Sequence, residues 1–281
     1  MRPERRQGLR PGSLGTGGLV VAGLAAAALV SALVLGLGPG GLLPGPGGLR
    51  LAADFFGRAL SPALAFEGAW SQGGPAAVLW QALGAAVQTV IFAAAAVSLA
   101  LVAGLGLGLL GASAWWPHRG AALVTVPVRA LVALMRSVHE LIWAVLLLAA
   151  FGTDPLVAVV AIAIPYGGTL AKVFAEMLDE APRDAAGALA AAGATPAQGF
   201  LVGLLPLAVP DLVSYAFYRF ECGLRSAAVL GFFGFPTLGY HLAVSFENLH
   251  YGEVWTYLYV LFALVVAVDW WSGRLRREVL A

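Results

Sequence analysis

Six apolar runs of membrane length leave this chain little freedom: about 18–38, 84–112, 121–151, 156–178, 206–234 and 254–273. A helix needs roughly 20 apolar residues to cross a bilayer. Only helices and closed barrels satisfy their own backbone groups in hydrocarbon. Continuous runs, without strict alternation, predict an all-α integral membrane protein with about six transmembrane helices. Composition agrees, with 60% of residues hydrophobic and 11% charged, against roughly 45–50% and 25% in soluble domains.

The same sequence excludes several functions. One cysteine, Cys222, cannot build a disulfide framework or a multi-cysteine metal site. A net charge of +1 says nothing about nucleic acid, and no basic cluster lies outside the expected membrane ends. The one lysine, Lys172, lies outside any G-x-x-x-x-G-K-[ST] phosphate loop, so ATP, if used, is bound by another chain. The apolar run after MRPERRQGLRPG is too long for a signal peptide core, which has about 7–15 residues. It is expected to stay as the first span.

Arginine placement orients the chain. Arg2, Arg5, Arg6 and Arg10 precede the first run, His118 and Arg119 separate the second and third, and Arg274, Arg276 and Arg277 follow the last. Six crossings with both termini cytoplasmic satisfy all three groups. The expected layout is a cytoplasmic N-terminus over 1–17, a first helix and periplasmic linker over 18–75, a core over 76–273, and a cytoplasmic C-terminus over 274–281. In the linker, Arg50, Asp54 and Arg58 recur every four residues on one helical face. That reads equally as an interfacial helix and as an ordinary linker. In the second run Ala96, Ala100, Gly104 and Gly108 are spaced by four. Small residues in that register let two helix backbones approach closely, within the bundle or between subunits.

Charges inside apolar runs cost at least about 2.5–3.5 kcal/mol each on insertion scales and mark candidate functional positions. In the third run, at about 100° per residue, Arg129, Arg136, His139, Glu140 and Trp143 fall on a single face. Arg136 and Glu140, at i and i+4, either pair with each other or line a path. In the fifth run Glu221 and Arg225 share a face, while Arg219 points elsewhere and needs an anion: Glu140, Glu176 or a passing substrate. A cationic lining attracts anions. Lys172, Glu176, Asp179 and Glu180 form a stripe where the fourth run ends. It is expected to be solvated or to face a partner, with a proton relay as the alternative.

Residues 182–206, PRDAAGALAAAGATPAQGFLVGLLP, interrupt the pattern. Pro182 suits a helix start and Gly193 a helix end, and Asp184 in the first turn suits the helix dipole. Thr195 and Pro196 repeat the start signal as N-cap and first helical residue. A helix of about 11 residues, about 16 Å long, then turns into a second helix that leads through Leu205 and Pro206 into the fifth run. Ala185, Ala186, Ala188, Ala190, Ala191 and Ala192 give it a smooth surface. It reads equally as an element docked in another protein and as a hairpin on its own bundle.

This segment resembles the cytoplasmic signature loop of binding-protein-dependent ABC importer permeases, E-A-A-x-x-x-G-x9-I-x-L-P. Gly193, Leu205 and Pro206 fit that spacing and Ala188 takes the first alanine place. Gly187 stands at the glutamate, Leu189 at the second alanine and Gly203 at the isoleucine. MRSVHELIWAVLLLAAFG, KVFAEMLDEAPRDA and LPLAVPDLVSYAFYRFECGLRSAAVLGFFG are similar to the phosphonate-type branch, with His139 at a proline and Gly223 at an asparagine. The resemblance runs from about residue 85 to the C-terminus. It implies a permease of the type I importer fold in the bacterial inner membrane, forming a dimer, expected to be a homodimer. Two ATPase subunits would carry ATP and magnesium, and a periplasmic binding protein would deliver a phosphorus oxyanion such as phosphonate, phosphite or hypophosphite. The chain itself would bind no cofactor and catalyse no reaction. The coupling set is then Arg183, Asp184, Gly187, Ala188, Gly193, Thr195, Leu205 and Pro206, with Asp184 standing in for the glutamate. The path set is Arg136, Glu140, Arg219, Glu221 and Arg225. The rivals are a proton-coupled secondary transporter using Glu140, Glu176 or Glu221, and a lipid-phosphate hydrolase using His139 and Glu140. The second is disfavoured by the scatter of His118, His241 and His250.

Overall fold

The structure is a computed structural model that describes residues 16–36, 45–68, 74–116 and 122–280. The N-terminal arginines, His118 and Arg119 lie outside the described residues. Two compact units divide the chain after Gly57. The first holds α1 (Thr16–Val34) and α2 (Pro46–Gly57). The 19 residues of α1 reach about 28 Å at 1.5 Å per residue, close to the thickness of a hydrocarbon core. Arg50 and Asp54 are exposed on α2.

The second unit contains α3 (Ala77–Gly111), α4 (Ala122–Ser137), α5 (Glu140–Phe151), α6 (Pro155–Glu180), α7 (Asp184–Ala191) and α8 (Pro196–Gln198). A π-helical stretch, Gly199–Leu204, joins α8 to α9 (Leu205–Val229). There follow α10 (Leu238–Glu247) and α11 (Tyr251–Leu280). Short 3-10 turns lie at Arg58–Leu60, Ser113–Trp115 and Leu230–Phe233. The described residues contain helices and no strand. Among the described residues, five helices are long and apolar enough to cross a membrane, or six if α4 and α5 together make one span. The all-α membrane architecture expected from the apolar runs is therefore the one observed.

At the centre of the second unit stands α6, because small residues line several of its faces. A Cβ at Gly104 of α3 would lie 2.6 Å from Leu170 Cβ, and one at Gly108 would lie 3.0 Å from Phe174 Cβ. The four-residue register of α3 is thus an interface within this chain. On another face, a Cβ at Gly168 would meet Met135 Cβ at 2.8 Å and the Val132 carbonyl at 3.2 Å, which sets α4 close to α6. On α9, a Cβ at Gly223 would reach Val97 of α3 at 2.6 Å. An asparagine at this place would require Val97 to move. Without a hydrophobic drive between helices in lipid, such close approach supplies the dispersion energy of the bundle.

At the end of the unit opposite α7, residues 58–68 are tied to the start of α11. Ala63 N–H donates to the Gly252 carbonyl at 3.0 Å, and Thr256 Oγ1 donates to the Ala63 carbonyl at 2.6 Å. Glu253 is 4% exposed and accepts from Glu67 N–H and Ser245 Oγ, both at 2.7 Å. Arg58 opens a 3-10 turn beyond the end of α2 and pairs with Glu67 at 3.5 Å.

One sequence expectation fails here. Residues 121–151 do not form a straight span, since α4 and α5 meet at 89°. Neither proline nor glycine occupies 137–139. The bend is made by His139, whose extended backbone (φ −66°, ψ 146°) ends one helix and whose side chain caps the next by accepting from Leu141 N–H. A helical face continued from Arg129 to Trp143 therefore does not exist.

Candidate functional site

The interruption at 182–206 folds as a tight helical hairpin. α7 has eight residues, shorter than the run between Pro182 and Gly193. Gly193 adopts φ +90°, a left-handed conformation open to glycine without penalty. Gly193 N–H donates to the Ala190 carbonyl and Ala194 N–H to the Leu189 carbonyl, both at 3.0 Å, a Schellman closure of the helix end. Thr195 then caps the next helix reciprocally. Its Oγ1 accepts from Gln198 N–H at 3.3 Å, and its N–H donates to Gln198 Oε1 at 2.8 Å. Pro196 takes the first helical position, as read from the sequence, and Leu205 and Pro206 open α9.

Two glycines define how α7 sits. A Cβ at Gly203 would lie 2.9 Å from Ala186 N and 3.2 Å from Leu189 Cδ1, and one at Gly199 would touch the Ala186 carbonyl at 3.6 Å. Thus α7 rests through Ala186 and Leu189 on the π-helical stretch, so closely that an isoleucine at 203 has no room. At Gly187 nothing lies within 4 Å of a built Cβ. Ala185, Gly187, Ala188, Ala190 and Ala191 are exposed, as are Arg183 and Asp184 at the helix start. The free surface of α7 is a patch of methyl groups and backbone with charge only at one end.

A second polar constellation lies inside the bundle. Glu140 opens α5 immediately after the bend. Its Oε1 accepts from Ser226 Oγ of α9 at 2.9 Å, and Ser226 Oγ lies 2.8 Å from Tyr166 Oη of α6. The Arg219 guanidinium stacks over the Tyr166 ring, 4.4 Å from its centroid, and its Nε is buried without a hydrogen-bond partner. Arg225 reaches Cys222 Sγ at 3.5 Å. Toward α7, a cavity of about 370 Å³ opens between α3, α4 and α6, with Arg129, Arg136, Lys172, Glu176 and Asp179 in its wall.

The ion pairs expected from helical spacing are partly replaced. Arg136 and Glu140 do not pair, because the bend carries them onto different helices; Glu140 instead has His139 Nε2 at 3.5 Å and Ser226. Glu221 pairs with Arg276 of α11 at 2.8 Å, not with Arg225. The charged tail of α11 stays helical past the expected end at 273 and reaches back to α9. Lys172 and Glu176 pair at 3.3 Å. Asp179 binds Arg129 at 3.4 Å and caps the 3-10 turn by accepting from Ala114 N–H at 2.8 Å. Of the path set, Arg219 and Glu140 converge on Tyr166 and Ser226, Arg225 is exposed on α9 beside Cys222, Arg136 lines the cavity, and Glu221 is held by Arg276. Tyr166 and Ser226 were missed in the sequence, where a hydroxyl in an apolar run carries no charge signal.

Residues 104–280 match a family model described as the binding-protein-dependent transport system inner membrane component. The phosphite transport system permease protein PtxC of Stutzerimonas stutzeri is 36% identical over 195 residues, 68% of this chain and 69% of that protein. The phosphate-import permease protein PhnE of Mycolicibacterium smegmatis is 30% identical over 195 residues, 69% of this chain and 36% of that protein. A solved structure of the MetNI methionine ABC transporter in an inward-facing conformation superposes with a TM-score of 0.61 at 24% identity, covering 71% of this chain and 96% of that one. At that identity the likeness is one of fold.

Proposed function

Because the chain belongs to the family of binding-protein-dependent transport system inner membrane components, and is thus a permease subunit served by a separate ATPase and substrate-binding protein, we propose that two copies of it form the path of an importer for a phosphorus oxyanion. The end bearing α7 then faces the cytoplasm, and the end where residues 58–68 meet α11 faces the binding protein. Relatives named for phosphite transport and phosphate import support this class of cargo. So does Arg219 on the Tyr166 ring beside Ser226, since guanidinium groups and hydroxyls suit phosphorus–oxygen bonds.

The observation that carries the coupling assignment is the seating of α7. Its exposed methyl face is free to enter a groove of an ATPase, while Ala186 and Leu189 fix its other face against the base of α9. Closure of two ATPases on ATP would drag α7, and through the rigid π-helical base would tilt α9, the helix that bears Arg219, Arg225 and Ser226. Alternating access follows from this lever, with release of ADP and phosphate restoring the inward-facing state.

Copurification tests the assignment. Coexpressed with the ATPase of its transport system, the chain should retain that ATPase through affinity purification, and Ala190→Glu should release it while leaving the chain in the membrane. An ATP-hydrolysing complex that survives Ala190→Glu intact would show that α7 is not the docking element.

A further inference from the structure

We propose that Glu140 makes the path selective for oxyanions that still carry a P–OH proton. Hydrogen phosphite, hydrogen phosphonates and dihydrogen phosphate would pass, whereas hypophosphite and sulfate, which have no such proton near neutral pH, would be held back. This rests on the cargo reading above and narrows it.

The hydrogens of the cluster can be counted. Ser226 has one hydroxyl hydrogen and donates it to Glu140 Oε1. The 2.8 Å contact between Ser226 and Tyr166 must then be a donation from Tyr166. Both hydroxyl hydrogens therefore point along the chain toward Glu140 and end on its carboxylate. An ionised carboxylate is an acceptor only, with about four lone-pair positions. Among the described residues, the ionic partner of Glu140 Oε2 is His139 Nε2 at 3.5 Å, beyond ordinary hydrogen-bond length. Its side chain is 22% exposed, so the carboxylate group is partly open.

Among the described residues no guanidinium pairs with it. Arg219 lies on the Tyr166 ring, Arg225 on Cys222 and near Tyr218, Arg136 stands on α4 beside the cavity, and Arg276 is taken by Glu221. Within one cluster, bridged by Tyr166 and Ser226, the site thus joins the Arg219 guanidinium to a carboxylate oxygen that lacks a short hydrogen bond. An anion with P–O⁻ and P–OH groups satisfies both, its hydroxyl giving a short charge-assisted bond to Oε2. An anion without a proton brings like charge to a carboxylate and no bond to offset it. Sites that hydrogen-bond a substrate hydroxyl reject analogues lacking it by factors of 10⁴–10⁵ when sealed. For this partly exposed group the same effect should amount to at least about ten-fold.

The test uses the assembled complex in proteoliposomes, with uptake measured at saturating liganded binding protein across the second ionisation of the anion, near pH 6–7 for phosphate-like groups. Phosphite uptake should fall as the dianion forms. With methylphosphonate, whose second ionisation lies higher, the midpoint should move up with the anion. Titration of a protein group would instead give one midpoint for both anions, and that result overturns the proposal. Glu140→Gln, whose amide both donates and accepts, should flatten both profiles and bring hypophosphite uptake to within about two-fold of phosphite. An unchanged profile in this variant, or wild-type hypophosphite uptake equal to that of phosphite, also overturns it. If the variant fails to assemble, the wild-type comparison of two anions decides alone. A wild-type complex that hydrolyses ATP yet moves none of these anions would instead sink the cargo reading on which the proposal rests.

Discussion

Gly187 and Gly203 belong to one hairpin, yet their surroundings are opposite. Open space at Gly187 means that Gly187→Glu, the residue typical of the signature loop, should leave the fold intact. It should also add about 0.5 kcal/mol of helix propensity and raise the ATPase fraction retained in copurification. The crowding at Gly203 means that Gly203→Ile, equally typical of that loop, should cost about 1–3 kcal/mol by overpacking. It should lower the melting temperature in detergent and loosen α7. The sequence marks both as departures from the family pattern, but only the contact with Ala186 separates the harmless one from the one the backbone requires. Glu221 offers a third test, since its side chain is 11% exposed and pairs with an Arg276 that is 26% exposed. Removing one partner of such a pair leaves a buried charge and costs about 3–5 kcal/mol. Glu221→Gln should therefore destabilise more than Glu221→Gln combined with Arg276→Met, compared by thermal unfolding. Helical spacing pointed to Arg225 because i and i+4 are the only neighbours a one-dimensional pattern can see.

The spans were the most legible elements, because hydrocarbon demands long apolar helices and the chain spells them out. Their ends were less so. Gln81 hid the first turns of α3, although it sits inside the helix and accepts from Tyr257 Oη at 2.6 Å. The short α10 was invisible between two longer runs. The bend between α4 and α5 escaped because it arises from a backbone state at His139 with no breaker residue nearby. That state is compatible with proline, whose φ is fixed near −65°. His139→Pro should accordingly keep the bend and retain uptake within about two-fold, the lost side-chain cap costing about 1 kcal/mol. His139→Leu, which permits a continuous helix, should abolish uptake while the chain still inserts. The caps at Gly193 and Thr195 were readable because left-handed glycine and Thr-Pro starts are local rules that need no tertiary context.

At the scale of the whole molecule, one subunit supplies one hairpin and one polar cluster, while a path requires walls on both sides. A purified complex should have the mass of two copies of this chain with two ATPases, read by native mass spectrometry. A second, different permease in the complex would replace the homodimer by a heterodimer. If α7 is the docking element, what the molecule offers its ATPase is almost entirely methyl groups on an eight-residue helix, and that has a thermal consequence. Contacts between charges weaken with ionic strength, whereas burial of apolar surface is indifferent to moderate salt and weakens on cooling. The assembly should therefore hold through a high-salt wash and dissociate in the cold, which makes temperature the lever that sets how much of the transporter is intact.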